Sequence, residues 1–158
     1  MELPVHNLTL GDVIKHNIAI IDGWDLQDIG RYLESEHLYL KNDFLEAANQ
    51  DFTNDFDFLK DKPKNSSLEG YIFPDTYQVN LSETPNDFIR NALINFDKKL
   101  TPDLRKEIAK QRKSIFQIIV IASILEKEVK SSDDKKIVAG ILWKRIKAGM
   151  PLQVDSTV

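Results

Sequence analysis

Two glutamates that stand two residues apart, Glu126 and Glu128, close an apolar stretch that runs from Ile118 to Lys130. The stretch reads IIVIASILEKEVK, and its apolar side chains would cover every face of a helix. We expect such a helix to be buried, so that a carboxyl emerging from it is a candidate proton donor. At about 100° per residue the two glutamates point about 200° apart, so at most one of them faces any single cleft.

The residues around the two glutamates favour Glu128 as the candidate acid. Glu126 has Lys130 four residues later, and this spacing predicts an ordinary surface ion pair. Glu128 has no such cation in the helix, and burial would raise its pKa, which suits a general acid near neutral pH. Most glutamates near helix ends are solvated, so the residues alone leave open that Glu128 only marks where the helix reaches water.

The composition is that of a globular protein with one domain. The chain has 158 residues, 42% of them apolar and 29% charged, and these values are ordinary for a folded domain. The net charge of -4 argues against nucleic acid and against an anionic membrane surface as the main partner. No apolar run reaches the roughly 20 residues that span a bilayer, so we expect the chain as given to be soluble.

Neither a metal nor a cofactor is expected. The chain has no cysteine, which excludes disulfides, a thiol nucleophile and cysteine metal sites. Its three histidines have no spacing typical of metal ligands, and we interpret them as structural.

The elements that must position the glutamates are mostly helical. A short strand is predicted at 17–21, stopped by the turn Asp22-Gly23, after which Asp25 can cap a helix. Periodic apolar residues predict further helices at 41–50, at 85–100, from Pro102 onward, after Ser114, and from the 131–134 segment to Gly149. The charged stretch at 60–67 is the best candidate for an internal linker.

The segment 68–77, LEGYIFPDTY, combines glycine and proline with acidic and aromatic residues. Its Tyr71–Phe73 portion alternates like a strand, and aromatic faces on an extended segment can stack on sugar rings. Glu69, Asp75 and Tyr77 can then hydrogen-bond hydroxyl groups. A buried edge strand followed by a turn has the same pattern, so both interpretations stay open.

The segment 148–158, AGMPLQVDSTV, also mixes glycine, proline and polar residues. Gln153 and Asp155 alternate with Leu152 and Val154, so their side chains can face one cleft. A solvated hairpin strand has this pattern too. We therefore expect an α+β fold that is mostly helical, with short strands and a hairpin forming one side of a cleft against a buried catalytic helix.

Taken together in this order and spacing, LEGYIFPDTY, IASILEKEV and KAGMPLQVDSTV resemble three motifs of the YceG-like (MltG) family of endolytic murein transglycosylases. The family motifs read approximately LEGYLFPDTY, ASIVEKET and RLxxGMPLQTDPTV. The resemblance covers roughly residues 18–158, because NIAIIDGWDLQDIGRYL is also similar to a family segment with a strand, a glycine turn and a helix. The sequence departs from the motifs at Val129, Lys144, Ile146 and Ser156.

The resemblance implies a lytic transglycosylase that acts on peptidoglycan without a cofactor. Such enzymes cleave the β-1,4 bond between N-acetylmuramic acid and N-acetylglucosamine, form 1,6-anhydromuramoyl ends, and so terminate or process nascent glycan strands. The second glutamate of the family's EKE motif is catalytic, and it corresponds to Glu128. The resemblance places Glu69, Asp75, Tyr77, Gln153 and Asp155 along the glycan cleft.

The resemblance also implies a domain organisation and a location. Residues 1–17 are similar to the tail of a preceding LysM-like subdomain, and residues 18–158 to part of the catalytic domain, so we expect a fragment. The whole protein would lie on the outer face of the bacterial cytoplasmic membrane, anchored there by an N-terminal helix, with cell-wall synthesis proteins as partners. A non-catalytic glycan-binding or scaffolding module and a helical protein-interaction domain are the alternatives.

Overall fold

The computed structural model describes residues 15–151, which form an α+β fold of six α-helices, a short 3-10 helix and a two-stranded sheet. In chain order the elements are β1 (Lys15–Ala19), α1 (Leu26–Ser35), α2 (Lys41–Ala48), a short 3-10 helix (Asp57–Leu59), β2 (Thr76–Asn80), α3 (Pro85–Lys99), α4 (Pro102–Lys110), α5 (Ile115–Glu128) and α6 (Ser132–Lys147). The predicted fold class, α+β and mostly helical, is confirmed.

The sheet joins two strands that are far apart in the sequence. β1 and β2 pair antiparallel, with Lys15 opposite Asn80 and Ala19 opposite Thr76. The pairing continues for one more bond, because Ile20 N donates to Asp75 O at 3.0 Å. The predicted first strand therefore exists, although it begins two residues earlier than expected.

The strand predicted over Tyr71–Phe73 is wrong. Tyr71 and Ile72 are both buried, at 0% and 6% exposure, so two consecutive side chains enter the core. A strand sends consecutive side chains to opposite faces, so this segment cannot serve as a half-buried strand. Burial of the Tyr71 ring outweighs the local alternation, and the strand begins only at Thr76.

Side-chain caps explain where several helices begin. Asp25, Thr84 and Ser114 each accept a hydrogen bond from the backbone N–H three residues later, and each is part of a reciprocal capping box. Pro85 and Pro102 occupy first-turn positions, where a missing N–H has no cost. The predicted starts of these helices are confirmed.

The main core is rich in aromatic side chains. Phe44, Phe58, Tyr71 and Phe88 are fully buried, and Phe58 stacks on Tyr71 with ring centroids 6.2 Å apart. Leu59 and Leu68, which flank the stretch 60–67, both belong to this core. The linker predicted at 60–67 and the division of the chain around residue 17 stay predictions.

Helix α5 lies between this core and a second, smaller one. Ile119 belongs to the main core, whereas Ile121 and Ile124 pack with Leu142 of α6. Ala122 is exposed, so the expectation of burial on every face is wrong for this side of the helix. Within residues 15–151, no helix is both long and apolar enough to cross a membrane.

Two serines at helix starts allow a matched test of the caps. Ser114 accepts a hydrogen bond from Gln117 N at 3.0 Å, whereas Ser131 precedes α6 without a side-chain cap bond. Ser114→Ala should lower the free energy of unfolding by about 1 kcal/mol, because a helix N–H loses its acceptor. Ser131→Ala should change it by less than about 0.5 kcal/mol. Urea denaturation measures both, and equal effects would contradict the assignment.

Candidate active site

A cavity of about 370 Å³ lies between α5 and the first motif, LEGYIFPDTY, and is the candidate site. It is open to solvent on one side and is lined by the 22–24 turn, the 69–74 segment, the junction of α3 with α4, and one face of α5. Its apolar walls carry the aromatic side chains Trp24, Phe73 and Phe96, and its charged side chains are Asp22, Glu69, Lys99, Glu126 and Lys127. The cavity can therefore hold an apolar or ring-shaped group beside carboxylates and ammonium groups.

Gly70 brings the first motif directly onto α5. Its φ is 81°, a left-handed conformation that residues with a Cβ rarely adopt. A Cβ at this position would lie 2.5 Å from Ile119 Cγ2 and 3.1 Å from Ser123 Oγ. The glycine of LEGYIFPDTY is thus required both by the turn and by the close approach of its backbone to the helix.

Glu69 connects the same turn to the start of α1. Its carboxylate accepts a hydrogen bond from Leu26 N at 3.1 Å, adding a cap to the one that Asp25 supplies. Removal from water raises the pKa of Glu69, while the bond from Leu26 and the nearby Lys127 ammonium lower it in part. Glu69 lines the cavity and its observed contact is a helix cap, so its predicted contact with a glycan stays a prediction.

Asp75 and Tyr77 lie behind the cavity wall and fix its shape. The Asp75 carboxylate pairs with Lys99 at 3.0 Å and accepts from Asn95 at 3.2 Å. The Lys99 ammonium, with hydrogen bonds from Thr76 and Asn95, holds the pKa of Asp75 below its usual value. Tyr77 is only 7% exposed, and its hydroxyl donates to the Phe73 carbonyl oxygen.

Neither residue is part of the cavity lining, so their predicted contact with a glycan stays a prediction. Burial raises the pKa of Tyr77, which keeps its hydroxyl a hydrogen-bond donor. The observed contacts hold Phe73 and Lys99 in place, with the Lys99 ammonium 5.0 Å from the Phe73 ring centroid.

The two glutamates of the EKE motif lie on different sides of α5. Glu126 lines the cavity, and its carboxylate accepts from the Lys135 ammonium of α6 at 2.7 Å. The predicted partner, Lys130, is wrong because α5 ends at Glu128 and Val129 is extended, so Lys130 does not continue the helix.

Glu128 is the last residue of α5 and is exposed. It follows Ile124 by four residues and Ile121 by seven, so it projects from the side of the helix that packs against α6. The loss of water that the sequence suggested for this carboxyl is therefore not observed. Within residues 15–151 its carboxylate has neither an ion-pair nor a hydrogen-bond partner.

The cavity and the motif thus point to different glutamates. Glu126 already holds a cation, whereas a proton donor must be able to bind its proton and release it. We therefore follow the motif and keep Glu128 as the candidate acid. Gln153 and Asp155, the other predicted residues, lie outside the described part of the chain.

Several residues of the site escaped the sequence-based prediction. Trp24, Asn95, Lys99 and Lys127 shape the cavity or hold its wall. Trp24 and Lys127 lie within segments quoted for the resemblance but were not singled out there, whereas Asn95 and Lys99 lie outside those segments. The signals for Trp24 were its position directly after the Asp22-Gly23 turn and its place in the segment NIAIIDGWDLQDIGRYL. Asn95 and Lys99 lie on the predicted helix α3 and showed no signal of a contact with Asp75.

A family model described as the YceG-like family matches residues 2–158. The chain belongs to the YceG-like family. A relative from Bacillus subtilis (strain 168), named endolytic murein transglycosylase, is 29% identical over 172 aligned residues, covering 100% of this chain and 47% of the relative. A protein of the same name from Streptococcus pneumoniae serotype 2 (strain D39) is 36% identical over 100 residues, covering 63% of this chain and 18% of the relative.

A crystal structure of a YceG-like protein from Listeria monocytogenes has the same fold. The TM-score is 0.74 at 24% sequence identity, over 88% of this chain and 49% of that one. The chain spans less than half the length of the two relatives from Bacillus subtilis and Streptococcus pneumoniae.

Two glycines with the same backbone conformation test the contact with α5. Gly70→Ala should lower the free energy of unfolding by about 2–4 kcal/mol, through backbone strain plus the clash with Ile119. Gly23, with a φ of 83° and no atom within 4 Å of a built Cβ, is the control. Gly23→Ala should cost only the strain, about 1–2 kcal/mol. Equal losses in urea denaturation would show that the contact with α5 contributes nothing.

The pH dependence of stability tests the environment of Glu69. Because its folded-state pKa is raised, ionisation of Glu69 opposes folding as the pH rises through that value. Glu69→Gln keeps an oxygen that accepts from Leu26 N. At pH 7 the variant should therefore melt at a higher temperature than the wild type, and this difference in melting temperature should be smaller at pH 3.5. Glu36, an exposed residue at the end of α1, is the control for removal of one surface carboxylate: Glu36→Gln should change the melting temperature at pH 7 by less than Glu69→Gln does. A Glu69→Gln variant destabilised more at pH 7 than at pH 3.5 would contradict this assignment.

Proposed function

We propose that the protein cleaves peptidoglycan glycan strands as an endolytic lytic transglycosylase, with Glu128 as the catalytic acid and base. Membership of the YceG-like family supports this activity, as do relatives named endolytic murein transglycosylase. The observation that carries the proposal is the joining of two motifs in space, since Gly70 of LEGYIFPDTY lies against α5, which ends in the EKE motif.

The chemistry needs only one carboxyl. A hydrolytic glycosidase uses two, one as acid and one to activate water or attack the sugar. In the proposed reaction protonated Glu128 gives its proton to the glycosidic oxygen, and the bond from that oxygen to the muramic acid C1 breaks. The 6-hydroxyl of the same muramic acid attacks C1, and the Glu128 carboxylate takes the hydroxyl proton. The carboxyl ends protonated, as it began, and no water is consumed.

The position of Glu128 suits the second half of this cycle. Its carboxylate is exposed and has no cation among residues 15–151, so a hydroxyl proton can reach it. Glu69, Asp75, Tyr77, Gln153 and Asp155 are proposed to line or support the glycan cleft. Distant sugar contacts would supply the energy that distorts the reacting ring.

The substrate also bears on location and partners. We propose that the whole protein acts at the outer face of the cytoplasmic membrane, where nascent glycan strands lie, and works beside cell-wall synthesis proteins. Peptidoglycan is the substrate that the names of the relatives indicate.

Digestion of purified glycan strands by protein carrying its natural flanking sequence tests the proposal. Glu128→Gln should lower the rate of anhydromuramoyl product formation by at least about 100-fold, because the proton donor is lost. Glu126→Gln, the matched control, should keep at least about a tenth of the wild-type rate, since a surface ion pair contributes about 1 kcal/mol or less.

The other outcomes separate the alternatives. If Glu126→Gln abolishes the products and Glu128→Gln does not, the catalytic assignment is wrong. Binding of glycan without cleavage by the wild type would favour a binding or scaffolding module. Absence of any glycan binding would favour a protein-interaction domain.

A further inference from the structure

An ion pair between Glu126 and Lys135 joins the end of α5 to the start of α6. Glu128 lies between these two residues in the sequence. The Lys135 ammonium donates to Glu126 Oε2 at 2.7 Å, and the lysine side chain is 30% exposed. Only residues 129–131 separate the two helices. Glu128 thus lies in the short segment from Glu126 to Lys135, whose two end residues are held together by this ion pair.

Apolar contacts also join the two helices. The core between them contains three buried residues, Ile121, Ile124 and Leu142. The hydrophobic effect itself has no direction, whereas a hydrogen-bonded ion pair fixes one donor atom against one acceptor atom. The Glu126–Lys135 pair adds a directional link between side chains of α5 and α6.

We propose that Glu126 and Lys135 form a positioning pair that fixes where α5 ends and where the Glu128 carboxyl lies. The inference rests on the proposed function, because it concerns the placement of the proposed acid. Neither side chain needs to touch the substrate. A displacement of the acid by about 1 Å is enough to slow proton transfer, since the donor must meet the glycosidic oxygen within hydrogen-bond distance.

The neighbouring lysine provides a matched control. Lys136 pairs with Asp133 at 3.3 Å within α6, and its side chain is 77% exposed. Removal of its charge changes the net charge of the protein as much as removal of Lys135, without breaking a link between helices.

Steady-state kinetics on glycan strands, with protein carrying its natural flanking sequence, tests the positioning role. Lys135→Met should lower kcat about two- to fivefold with KM unchanged within about twofold, as expected for loss of one exposed ion pair. Lys136→Met should leave both constants at the wild-type values. Lys135→Arg, and the exchanged pair Glu126→Lys with Lys135→Glu, should recover at least about half of the wild-type kcat.

Each other result overturns a specific claim. If the wild type is active and Lys135→Met matches it in kcat, the positioning pair is wrong. The same holds if Lys135→Met is slow but neither Lys135→Arg nor the exchanged pair restores the rate, because the effect would then be one of folding or packing. A wild type that binds strands but never cleaves them overturns the proposed function itself.

Discussion

The backbone of Gly70 lies against α5, and the rest of the site depends on this contact. A Cβ at position 70 would lie only 2.5 Å from Ile119 Cγ2, which leaves no space for a side chain there. On one side of Gly70, Glu69 accepts a hydrogen bond from the first N–H of α1, and on the other side Tyr71 is buried in the aromatic core. The turn at residues 69–71 therefore contacts α1, the aromatic core and α5.

Helix α5 presents a different carboxyl to each of its two sides. The side that faces the cavity carries Glu126, which is held by Lys135, and the side next to α6 carries Glu128, which has no partner among residues 15–151. The spacing of about 200° around the helix keeps the two carboxyls apart, and apolar residues on most faces let α5 pack against two cores at once. The separation leaves Glu126 paired with Lys135 and leaves Glu128, the proposed acid, exposed.

Local chemistry in the sequence predicted the helices well. Asp25, Thr84 and Ser114 each have a residue three positions later that completes a capping box, so the start of each helix was encoded within four residues. The segment Tyr71–Phe73 was mispredicted as a strand because its alternation is local, whereas the burial of Tyr71 and Ile72 results from distant partners such as Phe58 and Phe96.

The candidate site was predictable only in part for the same reason. The motifs identified Glu69, Glu126 and Glu128, but the ion pair of Glu126 depends on where α5 ends, which no helix-spacing rule specifies. The contacts of Asp75 with Asn95 and Lys99 bridge about twenty residues of chain, so they required the packed fold.

The measurement that tests the account most directly is digestion of glycan strands in water enriched in oxygen-18, followed by mass spectrometry of the new ends. If a single carboxyl directs attack by the sugar's own 6-hydroxyl, the new muramoyl ends are anhydro forms that contain no oxygen-18. Reducing ends labelled with oxygen-18 would show that water is the nucleophile and would contradict the account.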